Sequence, residues 1–144
     1  MNIAKRKALE IVNKYGSNLQ DIIDAEGIGI IEYPLVDRLK ELYFGDFIVL
    51  KQGLPESERK ELIAHALGHH FLHAGNHLAA SSGAYSWDKL QERQAEVFAA
   101  YLLMPKLRLT TRHFQTARAN LVEDYGITEK FAGFRLKLLE AYKQ

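Results

Sequence analysis

The segment IAHALGHHFLHAGN, residues 63–76, contains four of the six histidines of the chain. Two of them, His65 and His69, are four positions apart, so on an α-helix they project within about 40° of each other and about 6 Å apart along the axis. Two imidazoles placed in this way can converge on one metal ion. Two histidines that hydrogen-bond at the edge of a core would show the same spacing, so this pair alone leaves both interpretations open.

The residues around this pair predict a helix. In LPESERKELIAHALGHHFLHAG, Ser57 is suited to the N-cap, and Gly75 is suited to the left-handed position that follows a helix. His73 would lie about 12 Å from His65 along the axis, beyond the reach of an ion held at about 2.1 Å, so we expect it to support a ligand or cap the helix. His70 would point about 100° away from His69, and we expect it to pack.

Composition limits the class of protein. The chain has 144 residues, 47% of them hydrophobic and 26% charged, which predicts one domain over residues 1–144. A net charge of +1 makes direct nucleic-acid binding unfavourable. Without cysteine, a metal site must use histidine and carboxylate ligands. The first 16 residues do not resemble a signal peptide, and no run approaches the roughly 18 apolar residues of a membrane span, so we expect a cytoplasmic protein without membrane association.

The remaining patterns predict a helix-rich α+β fold with a small early sheet. IGIIEY (28–33) and FIVLK (47–51) are β-branched and predict strands, with a turn at 43–46 between them. We expect one helix over 2–15, a second that begins at Ser17 or Asn18, and a third over 88–104 that ends before Pro105. One or two further helices should follow up to Tyr125. A last helix should extend from Thr128 to Leu139. The small and polar residues 76–87 predict a surface loop.

A third metal ligand is expected from a second helix, because hydrolytic zinc sites often use two histidines and one carboxylate. The segment ERQAE, residues 92–96, offers Glu92 and Glu96 one helical turn apart. One of them would bind the metal and the other would orient a ligand histidine. The alternative is a solvated charged face, which the neighbouring apolar positions Phe98 and Leu102 make less favourable.

Taken together, FIVLKQGL (47–54), ERKELIAHALGHHFLH (58–73) and ERQAEVFAAYLLMP (92–105) resemble the ImmA/IrrE family of intracellular zincin metallo-endopeptidases. IGIIEYPL (28–35) and EDYGITEKFAGFRLKLL (123–139) extend the resemblance to nearly the whole chain. It implies a zincin-like domain that binds Zn2+ through His65, His69 and Glu92. Glu96 stands where the family usually has Asn or Asp and would brace a ligand histidine, and His73 matches the family's trailing histidine.

The same resemblance implies a protein or peptide substrate, often a transcriptional repressor. In the family's H-E-x-x-H pattern the glutamate moves the proton of the attacking water, but here Ala66 occupies its position. Losing this proton transfer costs about 10² to 10⁴-fold in rate. Ala66 therefore indicates a natural pseudoenzyme, an enzyme with a relocated base, or a deliberately introduced substitution, and Glu61, one turn before His65, is poorly directed to act as that base.

Three functions follow from these residues. The first is a zinc metallo-endopeptidase whose turnover is weakened by Ala66. The second is a catalytically inactive, metal-binding pseudo-peptidase that binds a regulator protein. The third is a metal-free helical DNA-binding regulator that uses 123–139, which lacks a basic recognition face. In the first two, we expect the strand FIVLK to pair with an extended peptide along its edge.

Overall fold

A computed structural model describes residues 2–36, 38–73 and 87–141. Within them lie six helices and three strands: α1 (Ile3–Tyr15), α2 (Leu19–Glu26), β1 (Gly29–Tyr33), β2 (Glu41–Tyr43), β3 (Phe47–Lys51), α3 (Glu56–His73), α4 (Lys89–Leu103), α5 (Phe114–Tyr125) and α6 (Glu129–Ala141). The predicted helix-rich α+β class is confirmed. The predicted helix end at Gly75, and all of the predicted loop except its last residue, lie outside the described residues.

The three strands form one sheet in the order β1-β3-β2. β3 is central, because it pairs in parallel with β1 and in antiparallel with β2. The expectation that FIVLK accepts a peptide along its edge is therefore wrong, since neighbouring strands already use both of its edges. The prediction fails because the sequence does not indicate β2. The last residue of this strand, Tyr43, is also the first residue of the segment 43–46, for which the sequence predicts only a turn. A tight connection with Gly45 at φ 78° joins β2 to β3.

Side-chain caps start most of the helices. Asn2 and Asn18 accept hydrogen bonds from the backbone N–H groups of the first turns of α1 and α2. Asp88 and Gln91 form a reciprocal capping box at the start of α4. For α3 the prediction of Ser57 as the cap is wrong, because the helix already begins at Glu56 and the preceding proline carbonyl accepts the N–H of Arg59.

The main core lies between α1, α3, α4 and the sheet. α3 and α4 approach each other very closely at Gly68, where an added Cβ would lie only 2.9 Å from the Cα of Ala95. This contact requires glycine at position 68, and it brings the histidine-bearing face of α3 beside the first turns of α4. A smaller cluster that includes Met104, Leu121 and Leu136 packs α5 against α6.

Between α4 and Tyr125, where we expected one or two helices, the structure has one, α5. The last helix, α6, continues two residues beyond the predicted end at Leu139. Thr128 caps that helix as expected, since its Oγ1 accepts the N–H of Phe131 at 3.2 Å. None of the helices in the described ranges has the length and apolarity needed to cross a membrane.

Candidate metal centre

Three side chains converge between α3 and the first turn of α4. The Oε1 atom of Glu92 lies 2.7 Å from Nε2 of His69 and 3.3 Å from Nε2 of His65. One possible ligand atom from each of the three residues lies within 4.8 Å of the other two. Ligand atoms of a tetrahedral zinc ion are about 3.3 Å apart, so small side-chain shifts would suffice to hold the ion. Two imidazole nitrogens and one carboxylate oxygen are also a donor set that zinc accepts.

The imidazole of His65 is held from its other side by β2. Its Nδ1 lies 2.9 Å from Oε1 of Glu41, whose side chain is largely buried. With Nδ1–H donating to this carboxylate, Nε2 is the nitrogen that faces Glu92 and can bind an ion. Sequence reasoning did not identify Glu41, because nothing local to residue 41 shows that it lies beside residue 65.

The imidazole of His69 is completely buried and is oriented by a second chain of contacts. Its Nδ1 lies 3.0 Å from Nδ1 of His73, and Nε2 of His73 lies 2.8 Å from Oε1 of Gln94. If Nε2–H of His73 donates to Gln94, then Nδ1 of His73 accepts from Nδ1–H of His69. In this tautomer neutral His69 directs an unprotonated Nε2 at the Glu92 carboxylate, and a bound cation would lie between the two. The ring of Trp87 stacks on His69 at 4.1 Å.

The ionisation of the cluster supports the same conclusion. Burial alone would lower the pKa of His65, but hydrogen bonds to Glu41 and Glu92 raise it to about 10. Burial lowers the pKa of His69. The neighbouring imidazoles of His65 and His69 hold the pKa of the Glu92 carboxyl well below its usual range. Without a metal, the cluster therefore keeps a proton next to Glu92, and a bound cation would displace that proton.

Among the described residues, Glu96 makes no hydrogen bond to an imidazole nitrogen of His65 or His69. Its side chain is exposed and, together with His65, lines a cavity of about 290 Å³. The atoms that contact the Nδ1 positions of the two histidines belong to Glu41 and His73, so Glu96 does not provide the bracing that the resemblance implied.

Ala66 is fully buried in the main core. Helix geometry places it about 100° from His65 and about 40° from His70, between two residues that hydrogen-bond to side chains of β2. It therefore lies on the face of α3 that is turned toward β2. Glu61 does not replace the missing carboxylate, because its two oxygens accept hydrogen bonds from the N–H and Oγ1 of Thr128, at 2.7 and 3.1 Å.

A second polar cluster, centred on the single histidine His70, lies on another face of α3. His70 is 2.8 Å from Oε1 of Glu26 through Nε2 and 2.6 Å from the Tyr43 hydroxyl through Nδ1. The hydroxyl of Tyr15 donates to the other oxygen of Glu26 at 2.9 Å. His70 thus has a hydrogen-bonding role in addition to the packing role that we expected. Among the described residues, the only group placed to hold a metal is His65, His69 and Glu92.

Comparison with known families gives one finding that covers most of the chain. A peptidase family model, described as the IrrE N-terminal-like domain, matches residues 24–137. The match extends from α2 into α6 and includes every side chain of the candidate centre. A search of curated proteins finds no match.

Proposed function

The chain belongs to the IrrE N-terminal-like domain family of peptidases, and on this basis we propose a zinc-binding domain of metallopeptidase fold that captures a peptide of a regulator protein. The observation that carries the proposal is the convergence of His65, His69 and Glu92 on one point. The three side chains come from two helices whose separation is fixed by the contact at Gly68. We treat residues 1–144 as one domain, because α1, which precedes the family match, packs into the same core as α3 and α4.

The roles of the residues follow from their contacts. His65, His69 and Glu92 would hold the ion, while Glu41 and His73 fix the tautomers and orientations of the two imidazoles. A zinc ion held by these residues would supply Lewis acidity, which would polarise a peptide carbonyl and lower the pKa of water. The burial of His69 and the stacking of Trp87 exclude solvent from one side of the centre.

We assign the peptide to the edge of β2. This strand reaches the centre through Glu41, and its side away from β3 pairs with no strand in the part of the chain that the structure describes. An extended peptide that adds to this edge would lie beside the three proposed ligands. The proposal thus keeps the mode of binding expected from the sequence and moves it from β3 to β2.

Cleavage by this chain is expected to be slow. Ala66 cannot accept a proton, and Glu61 is occupied by Thr128. We therefore favour a protein that binds its partner over one that cuts it efficiently. A transcriptional repressor is the partner implied by the family resemblance, and the absence of cysteine fits the cytoplasm as the place of action.

The first experiment measures metal content. Protein purified without chelator is expected to contain about one zinc per chain and to lose thermal stability when the ion is removed, because a bound ion stabilises the folded state. Trp87 is the only tryptophan, and its contact with His69 makes its fluorescence a reporter of zinc titration. Metal-free protein with no affinity for zinc would contradict the proposal.

The second experiment separates a binding protein from a peptidase. Ala66→Glu is compared with Ala66→Gln, which has nearly the same shape but cannot accept the proton, on a peptide library read by mass spectrometry. The Glu variant is expected to cleave about 10² to 10⁴-fold faster than the Gln variant. Equal cleavage by both variants would show that the chain lacks more than a base.

The charge of α6 does not favour the DNA-binding alternative. Its exposed charged positions carry two acidic and two basic side chains, namely Glu129, Lys130, Lys137 and Glu140. The remaining cation, Arg135, is buried and donates to the carbonyl of Met104 at 2.8 Å. A recognition helix needs a basic face toward the phosphates, so a protein partner fits this surface better.

A further inference from the structure

A cavity of about 290 Å³ opens next to the candidate metal centre, between α3, α4 and α6, and His65 forms part of its wall. We call it the His65 pocket; besides His65 it is lined by Glu58, Glu61, Leu62, Glu96, Ala99, Thr128, Lys130, Phe131 and Phe134. The positions on α3 lie one and two turns before His65, and those on α4 lie one and two turns after Glu92. The pocket is therefore a continuation of the interhelical groove that contains the three proposed ligands.

Several of its polar groups already have partners. Both oxygens of Glu61 accept hydrogen bonds from Thr128, and Glu58 forms an ion pair with Lys40 at 2.9 Å. A ligand that entered the pocket with a polar or charged group would have to break these contacts or leave its own group without a partner, and both outcomes are costly.

The exposed charged side chains at the mouth of the His65 pocket have opposite signs. Glu96 on α4 and Lys130 on α6 are both exposed, and the guanidinium of Arg93 lies 5.1 Å from the ring of Phe134. This mixture gives no net preference for a cationic or an anionic side chain. The rest of the lining is apolar and comes from Leu62, Ala99 and the two phenylalanines.

The volume limits the size of the occupant. The cavity measures about 290 Å³, at the lower limit of the roughly 300–1,000 Å³ of small-molecule sites, and it has room for one large side chain. We propose that the His65 pocket receives one large apolar side chain, such as Leu or Phe, from the peptide bound at the metal centre. This inference rests on the proposed function, because the metal centre is what fixes the peptide backbone next to the pocket.

The test uses binding, so it does not require turnover. The probes are four dipeptide hydroxamates, whose hydroxamate group binds zinc and whose first side chain is absent (Gly), apolar (Leu), basic (Lys) or acidic (Asp). Affinities for the zinc-loaded protein are measured by isothermal titration calorimetry, with Trp87 fluorescence as a second readout. The Leu probe is expected to bind about 10- to 100-fold tighter than the Gly probe, the gain from burying one such side chain. The Lys and Asp probes are expected to bind no tighter than Gly.

Two variants locate the effect in the pocket. Ala99→Leu fills the cavity, so in this variant the Leu probe is expected to bind no more than about 3-fold tighter than the Gly probe. The affinity for the Gly probe itself should stay unchanged. Phe134→Ala removes a wall and is expected to lower the same ratio, so it provides the test if the first variant does not fold. The Gly probe is the matched control in each protein, because it reports the metal centre alone.

The outcomes separate this inference from the proposed function. If the Gly probe and zinc both bind but the four probes bind equally, the pocket does not take a side chain and only this inference fails. A preference for Lys or Asp would also overturn it. If neither zinc nor the Gly probe binds, the proposed metal centre fails and the inference fails with it.

Discussion

Two polar clusters, one around His65 and His69 and one around His70, share the helix α3 and differ in one respect. Around His65 and His69, two imidazoles direct nitrogens at a single oxygen of Glu92. Around His70, one imidazole lies between Tyr43 and Glu26 in a linear chain of hydrogen bonds. In the first arrangement, several possible metal-ligand atoms meet at one point. In the second, each nitrogen of His70 has its own hydrogen-bond partner.

The comparison shows that histidines near carboxylates do not by themselves indicate a metal site. His70 has two close polar partners, one of which is a carboxylate at 2.8 Å, yet its contacts are those of a structural network that joins α1, α2, β2 and α3. The feature that marks the other cluster is convergence, together with separate side chains that fix the imidazoles from behind. Variants of the two clusters should therefore separate an effect on metal binding from an effect on stability.

The largest effect is expected from a comparison of His69→Ala with His70→Ala. Loss of a ligand at position 69 should weaken zinc binding by more than about 100-fold, beyond the loss caused by removing a residue that only orients a ligand. His70→Ala should leave zinc affinity within about 3-fold and cost about 1–3 kcal/mol of unfolding free energy, because Glu26 loses a buried donor. Competition with a chromogenic chelator and urea denaturation measure the two quantities. Loss of zinc by both variants would remove the distinction.

A smaller effect is expected at Glu41, the residue that connects β2 to the metal centre. Glu41→Ala should weaken zinc binding by about 10- to 100-fold, because His65 would no longer be held in its orientation. Glu41→Gln keeps an acceptor oxygen and should recover part of the affinity. Chelator competition again provides the measurement, and equal affinities for wild type and Glu41→Ala would show that the contact does not position His65.

The pH dependence of the metal-free protein gives a third test. The pKa of His65 rises to about 10 in the folded protein, above its value of about 6.5 in an unfolded chain. Protonated His65 therefore contributes stability that is complete below about pH 6.5 and is lost as the pH rises through about 10. The difference in unfolding free energy between wild type and His65→Gln should shrink over this range in urea titrations with chelator present. A difference that does not change with pH would contradict the assigned ionisation.

The smallest effect is expected from Tyr43→Phe, which removes one hydrogen bond from the His70 network. Thermal or urea unfolding should show a loss of about 1 kcal/mol. Zinc affinity should remain within about 2-fold, since Glu41, two residues earlier on the same strand, keeps its contact with His65. A large loss of zinc affinity would mean that the two clusters are energetically coupled through β2 and are not separate.

The sequence predicted the parts of the site that depend on short spacing. The positions of His65 and His69 follow from helix geometry, and the helices around them were predicted from apolar periodicity and caps. Glu92 and Glu96 were equivalent by spacing, and only the family resemblance distinguished them. The structure separates them because Glu92 faces the imidazoles and Glu96 lies at the mouth of the His65 pocket.

The contacts that the sequence did not predict are those between distant segments. β2 is only three residues long, too short for a clear alternating pattern, so the sequence predicts no strand there and only a turn at 43–46. Without β2, the sequence pattern places β3 at an edge of the sheet and gives no connection between Glu41 and a histidine 24 residues later. Strand pairing depends on which side chains bury each other across the fold, and local patterns do not carry that information.

The contact at Gly68 means that the distance between the proposed ligands depends on a residue that touches none of them. A methyl group there would act as a wedge against Ala95 and push the two helices apart. The carboxylate of Glu92 would then retreat from both imidazoles, and the coordination sphere would suit a larger ion than zinc. The size of ion that the proposed ligands would accept therefore depends on backbone clearance at Gly68 as well as on the chemistry of the donor atoms.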